Sequence, residues 1–300
     1  MDNQKSDSSF LKLHYISKRG DEVNLVDNDY FYVVNVDGMT SYTASMSSGV
    51  VGGMDGDTVN SVTAQPRGII LDLAIKNTVD VEEAKRFILK YFKPKQKGKL
   101  RWTQNEKTLL ISGIIESIEM PRWKNGITMQ ISMHCEQPFW EDLDAVIQSI
   151  GDAISLHYFT NDISDMLYFT SAGRPLGEID IYRQRDVFND GDASIGFEIS
   201  ITAIETVTNP IIRSVTGDFF GVGYGEGKKR LIMQPGDILT ISTVRGNKTA
   251  MLNGVNVLRL VKPNSIWLQL EPGDNSFSVS SEEDSISNFY FQMSYKRRYV

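Results

Sequence analysis

The stretch that decides the fold is Gly126 to Asp142, GITMQISMHCEQPFWED. In it Ile127, Met129, Ile131, Met133 and Cys135 alternate with Thr128, Gln130, Ser132, His134 and Glu136, the period-two pattern of a strand with one buried face. Pro138 lacks an amide donor and fixes φ, so the strand ends there, with Phe139 and Trp140 covering the end of a core. A strand of this kind stopping near mid-chain marks a domain boundary. The 300 residues are enough for two units at about 100–200 residues per domain.

Upstream of the boundary, Tyr30 to Val36 is an aromatic and β-branched strand. Asp37 to Ser61 follows, rich in Gly, Ser, Thr, Met and Asp, and reads as a long irregular arm. Loops beyond about 12–15 residues inside a compact domain are usually functional or disordered. This one is expected to lie against a neighbouring subunit, with Val50, Val51 and Met54 as apolar anchors. Arg67 to Lys76 is a strand with Ile69, Leu71, Leu73 and Ile75 on one face. Asp80 then caps a helix, with Glu83 three residues on and Val81, Ala84, Phe87, Ile88 and Tyr91 at helical spacing before Pro94. Strands at Leu100 to Trp102 and Thr108 to Glu119 lead through the hairpin signal Asn125-Gly126 into the opening strand. The expectation is an α+β domain over residues 1–140, mostly antiparallel β with one helix.

The second half, 141–300, reads as nearly all β. A short helix is expected near Asp142 to Ile150. Strands are expected at Ser155 to Tyr158, Gly177 to Tyr182, Ala193 to Glu205, Ile238 to Thr243, Met251 to Leu252, Val255 to Val261, Ser265 to Leu270, Phe277 to Val279 and Asn288 to Tyr295. Asn189-Asp190-Gly191, Pro235-Gly236-Asp237, Asn253-Gly254 and Pro272-Gly273-Asp274 supply turns between them. Short strands broken by such turns are the signature of a β-sandwich.

The composition narrows the function classes. With 41% hydrophobic and 23% charged residues the chain is an ordinary globular one, and no apolar run approaches the roughly 18 residues that span a bilayer. Its N-terminus lacks the basic and apolar segments of a signal peptide, so folding in the cytoplasm is expected. A net charge of −7 argues against nucleic-acid binding. The C-terminal YKRRYV reads as a solvated strand edge.

Motifs for chemistry are absent or broken. Gly221 to Lys229, GVGYGEGKK, fails the Walker and dinucleotide fingerprints and reads as a connection between strands. Asp186, Asp190 and Asp192 crowd one turn but lack the ligand spacing of a calcium loop. His14, His134 and His157 are scattered, so no metal site is expected. The single cysteine, Cys135, lies on the apolar strand face opposite His134 and reads as a core residue. Asp142, Asp144, Glu178 and Asp180 are the carboxylates a glycosidase reading would use, but nothing in their spacing supports it. No catalytic residue, cofactor or metal is expected.

Several blocks in order resemble the distal tail proteins of siphophage tails and related phage tail-tip components. They are VGGMDGDTVN before RGIILDLAI, the helix VEEAKRFILKYF, the pair LLISGIIESIE and GITMQISMHCEQPFW, and the late segments TNPIIRSVTG, PGDILTIST, NGVNVLRLV and SIWLQLEPGDNSFSV. The resemblance implies a ring-forming N-terminal domain with an arm or belt at 37–61, followed by a galectin-like, carbohydrate-binding-module-like sandwich. It further implies a non-enzymatic virion protein of the tail tip: a homohexameric ring that leaves a passage for DNA. Its implied partners are the tail tube protein, a tail-tip or tail-associated lysin protein, and a receptor-binding or tail-fibre protein, with no membrane insertion. Ile69 and Leu71 join Val50, Val51 and Met54 as expected interface residues. The alternatives are an adhesin that binds cell-wall carbohydrate through the sandwich, with Trp267 as the glycan contact, or the equivalent hub of a phage-like bacteriocin. Asn209-Pro210 and Arg213 lack the neighbouring His of true galectins, and Trp267 is not followed by their Gly and Glu, which favours Trp267 as a packing residue.

Overall fold

In the computed structural model, residues 11–50, 52, 53, 55–104, 107–120, 128–150, 152–154, 178–180, 184–281 and 289–300 are described. The chain divides into two compact units, one running to Leu143 and taking back Arg298–Val300, the other comprising Asp144–Arg297. The first unit therefore includes three C-terminal residues that the sequence reading assigns to the second.

The first unit contains β1 (Leu11–Ser17), β2 (Glu22–Asn24), β3 (Phe31–Asp37), β4 (Ala44–Gly49), β5 (Thr58–Ala64), β6 (Arg67–Ile75), α1 (Val81–Tyr91), β7 (Lys97–Gln104), β8 (Lys107–Glu119), β9 (Thr128–Cys135) and β10 (Trp140–Asp142). Seven strands form one antiparallel path in the order β2-β1-β7-β8-β9-β6-β3. The deciding stretch is central: β9 pairs with both β6 and β8, and Met129, Ile131, Met133 and Cys135 are all buried. Ile127 and the Asn125-Gly126 turn signal lie outside the described residues. After Pro138 the chain does not leave the sheet. β10 pairs with β8 at Leu109 and Leu110, beyond the point where β9 stops, and Trp140 is fully buried.

The helix begins where the capping residues place it, the Asp80 carboxylate accepting from the Glu83 amide at 3.4 Å. Ala84 and Ile88 enter the core, and Phe87 stacks on Tyr30 with centroids 4.1 Å apart. The architecture of this unit is mostly antiparallel β with a single helix, as expected.

The second unit contains β11 (Val146–Ile150), β12 (Asp152–Ile154), β13 (Glu178–Asp180), β14 (Gln184–Asn189), β15 (Phe197–Ala203), β16 (Val207–Thr208), β17 (Ile211–Ser214), β18 (Phe219–Gly221), β19 (Ile232–Met233), β20 (Ile238–Ser242), β21 (Thr249–Leu252), β22 (Val255–Asn256), β23 (Gly273–Ser280) and β24 (Phe289–Tyr295). One sheet has the order β11-β24-β15-β20-β21-β22 and another the order β14-β23-β17-β18. Both contribute to one core, in which the Phe197 and Phe277 rings meet at 5.3 Å. The last strand, β25 (Arg298–Tyr299), pairs with β10 in the first unit.

Four expectations are corrected. The helix near Asp142 to Ile150 is instead β11, because Val146 to Ile150 pairs along β24 and that ladder overrides local helical spacing. Val255 to Val261 holds only a two-residue strand and then a 3₁₀ turn at Leu258–Leu260. Ser265 to Leu270 forms no strand, and Leu270 alone makes an isolated bridge, to Ile195. The C-terminal basic cluster is no freely solvated edge: Arg298 binds Glu141 through Nε and Nη2, both at 2.9 Å, and the Lys107 ammonium sits 3.2 Å from the Tyr299 ring centroid. Of the remaining expected strands, Ser155 to Tyr158 lies outside the described residues.

Two substitutions separate surface capping from core packing in the first unit. Asp80→Ala removes one helix cap and is expected to cost about 1 kcal/mol. Ile131→Ala opens a cavity at the centre of the sheet and is expected to cost about 2–5 kcal/mol. Urea unfolding followed by the shift in midpoint measures both, and equal costs would contradict the burial assigned to β9.

Candidate functional site

The segment read from sequence as an irregular arm is a two-stranded antiparallel hairpin, β4 with β5, joined to no other strand among the described residues. Its glycine-rich connection includes Gly53 and Gly56, both with positive φ. The register runs from Ala44↔Ala64 to Gly49↔Thr58 and shifts after Ser47, so Asn60 is an extra residue on β5. That bulge explains why the alternation is invisible in the sequence. Val59 faces Ser48 and Val62 faces Met46, which puts Met46, Val59 and Val62 on one side of the hairpin although Val59 and Val62 are three residues apart.

None of these side chains is covered. Met46 is 68% exposed, Val62 57%, Val59 51% and Val50 81%. An isolated two-stranded hairpin is marginally stable at best, so this element presents an apolar strip without any core of its own.

The root of the hairpin is, by contrast, tightly held. The Met39 carbonyl accepts hydrogen bonds from Arg67 Nη1 at 2.6 Å and from Trp140 Nε1 at 2.8 Å. Gly38 has φ +81, and a Cβ there would sit 2.0 Å from the Gly68 carbonyl oxygen, so only glycine allows the chains to approach this closely. The Gln65 amide donates to the Thr43 carbonyl at 2.8 Å, and the Tyr42 ring meets Phe139 edge-on at 5.5 Å. Arg67 is 2% exposed, its Nε and Nη2 have no protein partner, and burial pulls its pKa below the usual guanidinium range. Cys135 lies beside it in the ladder, and burial pushes that thiol up to about 12. A buried, protonated thiol is a core residue, not a nucleophile.

The expected interface residues fall into three groups. Val50 is at the surface, whereas Val51 and Met54 lie outside the described residues. Ile69 and Leu71 are fully buried in β6 and belong to the first unit's own core, so no neighbouring subunit can reach them. The exposed strip of Met46, Val59 and Val62 and the root residues Gly38 and Arg67 carry no sequence signal beyond the unusual length of the arm.

Trp267, the expected glycan contact, packs at the edge of the second core, its ring centroid 4.6 Å from that of Phe220. The glycine-rich GVGYGEGKK serves a tight turn. Gly223 has φ +87 and approaches Asn209, whose Oδ1 accepts the Leu231 amide at 2.9 Å. Among the described residues no group of three His, Cys, Asp or Glu side chains could hold a metal ion. His14 contacts Glu22 and His134 is exposed, while His157 lies outside the described residues.

The model of a family described as siphovirus-type tail component, C-terminal domain, matches residues 190–299. The crystal structure of the Dit protein of phage SPP1, titled a paradigm of the hub adsorption apparatus in phages infecting Gram-positive bacteria, superposes with a TM-score of 0.65. It is 13% identical and covers 97% of this chain and 99% of that one. Residues 190–299 thus match that family's C-terminal domain, and the chain as a whole shares the fold of the SPP1 Dit protein.

Chains from the phage P2 baseplate in its activated conformation with calcium or with strontium match at TM-scores of 0.47 and 0.46, each 11% identical over 96% of this chain and 98% of theirs. No curated protein sequence matches. The family's C-terminal domain model begins at Asp190, in the turn after β14, and ends at Tyr299 in β25. It therefore takes in most of the second unit and the strand that returns to the first.

Two buried acids of the first unit link its stability to alkaline pH. Cys135 rises from 9.0 to about 12 and Tyr15 from 10.0 to about 12, both because burial disfavours their charged forms. Each neutral form is favoured by folding, so this stability is complete below the unfolded pKa and is lost as pH climbs through the folded one. Urea midpoints are expected to fall between about pH 9 and pH 12, and Cys135→Ala to flatten the onset of that fall. A profile of Cys135→Ala identical to that of the parent protein would contradict the assignment.

Proposed function

We propose that this protein is the structural hub of a phage tail tip. Six copies close into a ring through the first unit, the ring leaves a passage for DNA, and no reaction is catalysed. The observation that carries this reading is the hairpin with an apolar strip and no cover among the described residues. A closed ring needs head-to-tail contacts in which two different surfaces of each copy meet. The hairpin, with Val50, Met46, Val59 and Val62, is one such surface.

The partners in this reading are a neighbouring copy, the tail tube protein above, and below it a tail-associated lysin and a receptor-binding or tail-fibre protein. The second unit is read as a galectin-like sandwich. A net charge of −7 suits a conduit for DNA, since a basic lumen would retain phosphate. The location is the tip of the virion tail.

The full chain is expected to form six-fold rings in negative-stain micrographs and a matching mass by light scattering at high concentration. Replacing residues 44–64 by a short Gly-Ser link is expected to give a monomer with an unchanged melting temperature, because the hairpin buries nothing within the subunit. Rings that persist in this variant would remove the hairpin from the assembly. A parent protein that stays monomeric throughout would overturn the ring.

A further inference from the structure

The first unit is not continuous in sequence. It runs to Leu143 and resumes at Arg298, so the whole second unit is inserted between its two pieces. The returning piece is only Arg298–Val300, and its strand β25 pairs with β10, the strand that carries Trp140 to the root of the hairpin.

β10 lies between two neighbours that hold different parts of it. β8 pairs with Glu141 and Asp142, whereas β25 pairs with Trp140 and Glu141. Among the described residues Tyr299 is therefore the one ladder partner of Trp140. Directly opposed residues carry their side chains on the same face of a sheet, and here both belong to the first unit's core. On the other face the Glu141 carboxylate accepts from Arg298 Nε and Nη2, both at 2.9 Å. The Lys107 ammonium, 3.2 Å from the Tyr299 ring centroid, closes over that ring. From Tyr299 to the hairpin root there are then two steps, the ladder pair with Trp140 and the hydrogen bond from the Trp140 indole to the Met39 carbonyl at 2.8 Å.

We infer that residues 298–300 are a completion latch for the arm: the hairpin root is fixed only when β25 closes on β10. Synthesis runs from the N-terminus, so β1 to β10 are made first and Arg298 to Val300 only after the entire second unit. Until then β10 is an edge strand held by two pairs to β8, and Trp140 has no ladder partner. A strand this short with one neighbour opens readily. Arg67 comes from β6 and stays on Met39 in either state, so the latch governs the indole half of the clamp. The hairpin has no core of its own to orient it, and a loosened root therefore leaves β4 and β5 without a fixed direction. The consequence for assembly rests on the reading of the hairpin as a ring contact: a chain that lacks its second unit cannot present the arm in the geometry a neighbour needs.

The test compares the full chain with a variant lacking residues 298–300, with Arg298→Glu, and with Arg298→Glu/Glu141→Arg, which rebuilds the ion pair with its charges exchanged. Hydrogen exchange is read by mass spectrometry on dilute, monomeric protein. Exchange over residues 38–43 and 139–142 is expected to be at least about tenfold faster in the deletion and faster in Arg298→Glu, and to be unchanged over Phe197–Ala203 in the core of the second unit. The double variant is expected to return towards the parent rate, which keeps the result independent of any folding defect in the deletion. At high concentration, light scattering is expected to show the deletion variant as a monomer where the parent protein assembles. The latch is overturned if exchange over 38–43 is the same in the deletion as in the parent protein, if Phe197–Ala203 accelerates equally, or if the rebuilt pair recovers nothing. A deletion variant that assembles as well as the parent also overturns it and leaves the ring standing. A parent protein that never assembles overturns the ring instead, and the exchange rates of the monomers still decide the latch.

Discussion

One carbonyl oxygen, that of Met39, is where the core of the first unit takes hold of a hairpin that buries nothing. It receives a guanidinium and an indole at 2.6 and 2.8 Å. A hydrogen bond from a charged donor contributes about 1.5–3 kcal/mol, but each buried donor left unmade costs about 1–3 kcal/mol. Arg67 makes the one bond and leaves Nε and Nη2 without a protein partner. The guanidinium therefore adds little net stability; its contribution is position. Together with the close approach of Gly38 to Gly68, it fixes where and at what angle the chain leaves the sheet. A projecting element that must meet a partner in one geometry needs such a fixed root more than it needs a stable shaft.

The same constraint explains the Pro-aromatic end of β9. Arg67 pairs with Cys135 in the ladder between β6 and β9, so β9 lies beside the residue that holds the hairpin root. A slip of one residue would turn every side chain of β9 to the other face. It would expose Met129, Ile131, Met133 and Cys135 and displace the chain that carries Trp140 to Met39. Pro138 ends β9, and the next strand carries Trp140 back into the core with its indole N–H aimed at the hairpin root. Burial of the strand face and anchorage of the arm thus depend on one register.

How much was legible in the sequence follows from which interactions are local. The alternation of β9, the strand Arg67–Ile75 and the capped helix after Asp80 were readable because each is specified within ten or so residues. The hairpin was not, since a bulge at Asn60 breaks its period and serine, threonine and glycine fill most of its positions. β11 was misread as a helix because its conformation is set by β24, nearly 150 residues away in the chain. Ile69 and Leu71 were read correctly as one strand face but assigned to the wrong neighbour: their partners are the core of the same subunit. Periodicity reports that a face is buried and is silent about what covers it.

That silence weighs most for a protein whose proposed role is structural. Catalysis requires particular residue types at particular distances, and this sequence carries broken fingerprints and scattered histidines. Assembly requires only that some surface be apolar, uncovered and rigidly presented, and many sequences satisfy this. A fold can consequently be shared with the SPP1 Dit protein at 13% identity while no short motif carries it. What marks the role is a relation visible only in three dimensions: exposed Met46, Val59 and Val62 on one side of a hairpin whose root is bound into a buried core. A surface loop without function would be free to lose either half of that relation, the apolar strip or the clamp. The presence of both in one element is what supports the proposed role of the arm as an assembly surface.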